Sequence, residues 1–223
     1  MTISIDYQNI LSLFRANERG YPDELHLRIH RSLSWLKKAE SCGEDSDIRL
    51  LTLWIAFNAV YAAELNDGSL RAERGRFQEF LQTVCRLDQE RQIYPLVWQT
   101  FSSNIRLLLD NRYTFQPFWD FHNGYISEAA WLEQFEQART KALKALANQD
   151  TDAVLFVVFD RLYTLRNQLV HGGATYHSRA NRKQVQYGCA ILSALVPVVL
   201  QIMLQHPDQD WGKPFYPYVS VEE

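Results

Sequence analysis

The chain has 223 residues, of which 47% are hydrophobic, 22% charged and 13% aromatic, with only 9 Gly and 7 Pro. That balance belongs to one elaborated folded domain with a real core, and it excludes a disordered chain or a loop-rich all-β protein. The net charge of −3 excludes a generally basic nucleic-acid binder, so any contact with a polyanion must run through a local patch.

Helical periodicity dominates from the start. Residues 1–22 form an N-terminal extension whose opening, MTISIDYQNILSLF, mixes acidic and polar residues among the apolar ones and does not read as a signal peptide. A first helix is predicted from Asp23 to Glu40, with Leu25, Ile29, Leu33 and Leu36 on one face. Glu44-Asp45-Ser46-Asp47 supplies N-cap chemistry for a second, running to about Leu65, with a stripe of Leu50, Leu51, Trp54, Asn58, Tyr61 and Leu65. A third helix covers about Leu70 to Arg86 and a fourth about Tyr94 to Leu109. The aromatic stretch Asn111 to Tyr125 reads as an ordered loop; the aromatics from Tyr113 to Tyr125 can stack bases, but such clusters more often form core. Ser127-Glu128 opens a fifth helix ending near Asn148, and Asp150-Thr151-Asp152 caps a sixth, Ala153 to His171, which Gly172-Gly173 stops. Ser178 or Asn181 opens a last helix to about Gln205. Its apolar part, Cys189 to Leu204, is broken by Ser193, Pro197 and Gln201 and reads as a core helix too short to span a bilayer. Residues 207–223 form a tail expected to pack as extended chain. The fold class is all-α, a helical bundle of six to seven helices over residues 23–206.

Cys42, Cys85 and Cys189 lie far apart with no CxxC pair, which points to neither a disulfide framework nor a zinc site and fits a cytoplasmic setting. His26 and His30 share a helix face, but HLRIH lacks the Glu of HExxH and a third ligand, so no metal is expected there. The chain has no phosphate-binding loop, no GxSxG and no dinucleotide glycine pattern.

Chemistry concentrates in Leu165-Arg166-Asn167-Gln168-Leu169-Val170-His171-Gly172-Gly173. Val158, Leu162, Leu165 and Leu169 form the apolar side of that helix and leave Arg, Asn and His on the other. On a helix Asn167 and His171 lie about 40° apart, whereas Arg166 and His171 lie about 140° apart. Either the Arg side chain reaches around, or the last turn loosens at the glycines. A basic pair near a helix end is also a common capping arrangement, and the Arg-x4-His spacing alone would not separate the two readings.

Arg166 to His171 resembles the RNxxxH form of the motif found in HEPN ribonucleases. Trp54-Ile55-Ala56-Phe57-Asn58-Ala59-Val60-Tyr61 resembles the W-x-x-F-N-x-x-Y helix that precedes it in many such domains, and Arg166 to about Val219 is similar to the Apea-like branch. The resemblance covers about Leu25 to Val219. It implies a dimeric helical bundle that cuts RNA without a metal or other cofactor, acting as a toxin or defence effector, with a possible nucleotidyltransferase antitoxin as partner; the broken apolar segment of the last helix argues for no membrane. It implies Arg166, Asn167 and His171 as catalytic residues. A non-catalytic helical module that binds RNA, a nucleotide or a protein is the alternative. The residue types suit RNA cleavage: an imidazole can exchange protons, a guanidinium fork can hold phosphorane oxygens, and an amide can orient either. Two readings of Asn58 stand, a bond toward the Arg166 to His171 region or one to a neighbouring helix backbone. Arg179, Arg182 and Lys183 are either an RNA-binding patch or a solvated first turn. Two copies of the sixth helix across a two-fold axis would supply two His and two Arg to one cleft and pool the basic residues of both chains.

Overall fold

The computed structural model describes residues 6–62, 70–217 and 219, without the side chains of residues 70–74. The predicted helix end at Leu65 and the tail residue Tyr218 lie outside these. Every element among the described residues is helix or turn, with no strand, so the all-α class holds. The chain divides into two units, residues to Gln89 with those from Leu192 onward, and Glu90–Ile191.

In the first unit, Asp6 accepts from Asn9 N at 3.0 Å and starts α1 (Tyr7–Ala16), which buries Tyr7, Ile10 and Phe14 against the next helix. That helix is α2 (Asp23–Glu40), and its stripe of Leu25, Ile29, Leu33 and Leu36 is buried as its spacing predicts. Asp45 accepts from Ile48 N at 3.1 Å and opens α3 (Ser46–Tyr61), which packs along α2. The predicted face of α3 is only part of the buried surface. Leu53, Ala56, Phe57 and Val60 are buried along with Leu50 and Trp54, because the helix is apolar nearly all round and its pattern defines no single face.

The end of α3 depends on a residue far upstream. Arg28 is 1% exposed and donates from Nη1 to the carbonyls of Val60 and Ala62, both at 2.9 Å, and of Ala59 at 3.4 Å. Its Nη2 donates to Gly212 O at 3.0 Å. Burial lowers the Arg28 pKa to about 10, against the opposing pull of Glu24. A charged group thus takes up the orphan carbonyls of a helix C-terminus. Further on, α4 (Leu70–Leu87) sets Phe77 and Phe80 against Phe57 and Tyr61, and Trp211 of the tail lies edge-on to Phe80 at 6.0 Å. Arg31 holds the tail through Tyr216 O at 2.6 Å.

Ten α-helices occur among the described residues where six to seven are expected: α1 lies in the stretch read as an N-terminal extension, and the other additions arise in the second unit. Where one helix from Tyr94 to Leu109 is predicted, the chain forms α5 (Ile93–Pro95), a π-helical turn (Leu96–Thr100) and α6 (Ser102–Leu109). Phe101 N donates to Leu96 O at 2.9 Å, so one extra residue is bonded into the turn, which leaves the apolar spacing almost unchanged. The stretch expected as a loop folds into a 3-10 turn (Arg112–Thr114) and α7 (Gln116–His122), with Pro117 in the first turn. Seven residues are too few for periodicity to reveal a helix.

The long elements follow their caps. Ser127 accepts from Ala130 N at 3.2 Å to open α8 (Glu128–Ala147), and Asp150 accepts from Ala153 N at 3.3 Å to open α9 (Thr151–Val170). α9 packs on α6 and α8 and buries Val154, Leu155, Val158, Phe159, Leu162 and Leu165. The last helix, α10 (Arg182–Gln205), begins in the second unit and ends in the first. Its 24 residues include a stretch with a mean hydropathy of 2.1, so by length and composition it is long enough to cross a membrane, contrary to the expectation of a helix too short. Most of that stretch is buried within the protein, as a core helix requires.

Candidate active site at the end of α9

The sequence around His171 builds a defined helix stop. Gly172 has φ +68°, in the left-handed region, and its N–H donates to Leu169 O at 3.4 Å. The Gly173 N–H donates to Gln168 O at 2.7 Å. These two bonds, across four and six residues, are the Schellman arrangement, and they explain the glycine pair. Gly172 supplies the positive φ. At Gly173 an added Cβ would meet Gln168 O at 3.3 Å and its Cα at 3.4 Å, both backbone atoms that cannot swing aside.

His171 is the C-cap residue, exposed, and its N–H still donates to Asn167 O at 2.9 Å. The last turn therefore does not loosen. Arg166 Nη1 donates to Oδ1 of the neighbouring Asn167 at 2.9 Å, and Asn167 lies one turn before His171. The guanidinium also lies 5.8 Å from the centre of the half-exposed Tyr163 ring. Arg166 forms no ion pair with a carboxylate among the described residues. Because Asn167 gives its oxygen to Arg166, its NH2 group remains to donate elsewhere.

Two flanking segments are fastened to this helix end by one side chain. Gln168 Nε2 donates to Tyr113 O at 2.8 Å, and Gln168 Oε1 accepts from Asn181 Nδ2 at 3.0 Å. Asn181 itself has φ +56°, a conformation Asn tolerates better than most residues, immediately before α10. The intervening loop is closed by Ser178 N to Thr175 O at 2.9 Å and by Ala180 N to Ser178 Oγ at 3.1 Å.

Of the basic residues expected to bind RNA, Arg179 and Lys183 are exposed and Arg182 is half-buried, its Nε donating to Ser178 O at 3.0 Å. All three share the second unit with Arg166, Asn167 and His171, and Asn58 belongs to the first. Asn58 is half-buried, and its buried Oδ1 has no hydrogen-bond partner among the described residues. His26 instead meets Glu18, Nε2 to Oε1 at 3.2 Å, and stacks on His30 at 6.2 Å. No group of three or more His, Cys, Asp or Glu among the described residues is arranged to hold a metal ion.

Arg112, Gln168 and Asn181 are neighbours of this helix end that sequence reasoning does not single out as functional, whereas Tyr113 belongs to the aromatic stretch read as core or as a base-stacking surface. One signal was present for the neighbourhood as a whole. Acids outnumber bases 26 to 23, yet no carboxylate occurs between Asp160 and Asp208, a stretch that holds Arg161, Arg166, Arg179, Arg182 and Lys183. Within the unit, Arg161 is buried beneath the Phe115 ring at 4.3 Å, and its pKa is lowered by that burial, which identifies it as structural rather than substrate-facing.

No family model, no curated protein and no solved structure matches this chain.

Proposed function

We propose that this protein is a metal-independent endoribonuclease of the HEPN type that cleaves RNA by attack of a ribose 2′-OH on the adjacent phosphate. The observation that carries the reading is the hydrogen bond from Arg166 to Asn167, beside the exposed His171, with no carboxylate on the guanidinium among the described residues. A structural arginine would be expected to end on a carboxylate or on helix carbonyls, as Arg28 does. Arg166 instead ends on a neutral amide and keeps its charge for an anion.

The reaction needs little else. The 2′ oxygen loses its proton as it bonds to phosphorus, the bond from phosphorus to the 5′ oxygen breaks, and that oxygen gains a proton. His171 exchanges one of these protons. Arg166 and the Asn167 NH2 meet the charge that builds on the non-bridging oxygens. Arg179 and Lys183 supply positive field for the strand on a chain that is acidic overall. The toxin or defence role and the homodimer implied by the resemblance belong to the same reading.

The test is incubation of the purified protein with defined RNAs in EDTA, followed by end-group analysis. Products ending in 2′,3′-cyclic phosphate, with DNA left intact for want of the 2′-OH, are expected. Cleavage abolished by the chelator and restored by magnesium overturns the mechanism.

A further inference from the structure

We propose that Tyr113 and Arg112 form a stacking subsite for an unpaired RNA base next to the scissile phosphate, and that Gln168 is the residue that positions it. The proposal rests on the ribonuclease reading and narrows its substrate to RNA that is single-stranded beside the cleavage point.

The aromatic segment between α6 and α8 divides into two roles. Phe115 and Phe118 are buried, with Phe118 edge-on at 5.3 Å to the buried Trp131 of α8, and the three form the core of this part of the unit. Tyr113 is different: the residue is 40% exposed although its backbone is held firmly. Its carbonyl accepts from Trp119 Nε1 at 2.9 Å and from Gln168 Nε2 at 2.8 Å. Phe118 packs edge-on against its ring at 5.3 Å. Arg112 Nη2 donates to its hydroxyl at 2.9 Å, with the guanidinium 5.0 Å from the ring centre. The result is a composite platform of a phenol ring and a guanidinium, fixed before any ligand arrives.

Bases stack on aromatic rings and on guanidinium planes alike, without regard to sequence, and a guanidinium adds attraction for phosphate. Pre-organisation matters because an ordered platform loses little freedom on binding. The link to the chemistry is Gln168, which precedes His171 by three residues, about 4.5 Å of helix rise. Both ends of its amide are engaged, one by Tyr113 and one by Asn181, so it positions the platform and does not itself read a base. Tyr125, which is more exposed, is bonded back to Asp120 of α7 through its N–H.

The experiment uses short RNAs that carry one 2-aminopurine at successive positions around the cleavage point, bound to a His171→Ala chain that leaves them intact. Fluorescence quenching is expected at one position beside the scissile phosphate. Adding Tyr113→Ala should remove that quench and weaken binding about five- to tenfold, at the low end for loss of one stacked base. Tyr113→Phe, which keeps the ring, should restore the quench. In the cleaving protein Tyr113→Ala should raise KM by a similar factor, and an abasic nucleotide at the quenched position should erase the difference from wild type. Gln168→Ala should weaken the quench without abolishing it. If wild type cleaves and binds but Tyr113→Ala matches it on every RNA, the subsite is overturned and the ribonuclease stands. If wild type neither binds nor cleaves any of these RNAs, both fall together.

Discussion

Replacing Gly172 by alanine separates the two jobs of the glycine pair. Gly172 sits at φ +68°, and a Cβ built there has nothing within 4 Å. The substitution therefore introduces no clash, and its cost is the conformational one of a left-handed L-residue, about 1–2 kcal/mol. For a chain of this size that corresponds to a fall in Tm of about 2–8 °C. Gly172→Asn should recover most of the loss, because Asn enters the left-handed region more readily. Gly173→Ala acts by another route. Its Cβ would press on Gln168 O and Cα, so the 2.7 Å bond from Gly173 N must lengthen, at a cost of about 0.5–1.5 kcal/mol. Calorimetric melts with RNA-cleavage rates on the same samples make the measurement. Loosening the cap should also let His171 wander, so activity at a temperature well below Tm should fall in step with the cap. If Gly172→Asn is no better than Gly172→Ala, the positive φ is not what requires glycine. If both alanine variants melt early yet cleave at the full rate, the cap does not position His171.

Arg28→Met should cost about 2–4 kcal/mol by urea denaturation, since four carbonyls lose their donor while the buried charge is relieved. The Arg28 pKa of about 10 in the fold lies below that of a free guanidinium, so the unfolded chain holds more protons above about pH 10. The stability of wild type relative to Arg28→Met should then stay flat across neutral pH and rise above about pH 10; a difference that shrinks there refutes the assignment. Trp54, 4% exposed on α3, should lose about 3–5 kcal/mol on change to alanine, whereas His171→Ala, at an exposed helix end, should melt like wild type while losing cleavage. Mixing wild-type and His171→Ala chains should depress cleavage below the wild-type fraction if two copies complete one cleft, and a strictly proportional fall would place a whole site in each chain.

The parts of the fold legible in the sequence are those where a cap and a long amphipathic run coincide. α2 begins at Asp23 and ends at Glu40 where its spacing puts it, and the starts of α3, α8 and α9 follow from Asp45, Ser127 and Asp150. The misses are α1, in the stretch read as an N-terminal extension, the elements too short to show a period, α7 and the pieces α5 and α6, and a π-helical turn that alters hydrogen bonding without altering which residues are apolar. The end of α3 was illegible because Arg28, 31 positions before Ala59, takes up its carbonyls. At the candidate site the chemistry-bearing types could be read from Arg166, Asn167 and His171, but their supports could not. Gln168 looks like filler inside the motif, and nothing in the sequence separates Tyr113 from the other aromatics of a stretch that reads as core more readily than as a base-stacking surface. Only the fold brings the carbonyl of one to the amide of the other.

The cap also decides which groups can meet a phosphate. A turn after a helix often offers free N–H groups that cradle an anion. Here the N–H groups of His171, Gly172 and Gly173 all donate to carbonyls of α9, so this turn has none of those three to give. On the proposed reading, the charge of a phosphorane at this helix end has to be met by side chains, and the helix C-terminus, with its partial negative charge, gives no help. On that reading the permanent charge of the Arg166 guanidinium is suited to the task. It also explains why Arg166 should be tethered by an amide and not by a carboxylate: Asn167 fixes the fork without cancelling its charge, where an aspartate at the same position would hold it and neutralise it at once. Asn167→Asp is thus a nearly isosteric change that should keep the Arg166 contact and the fold while removing most of the cleavage.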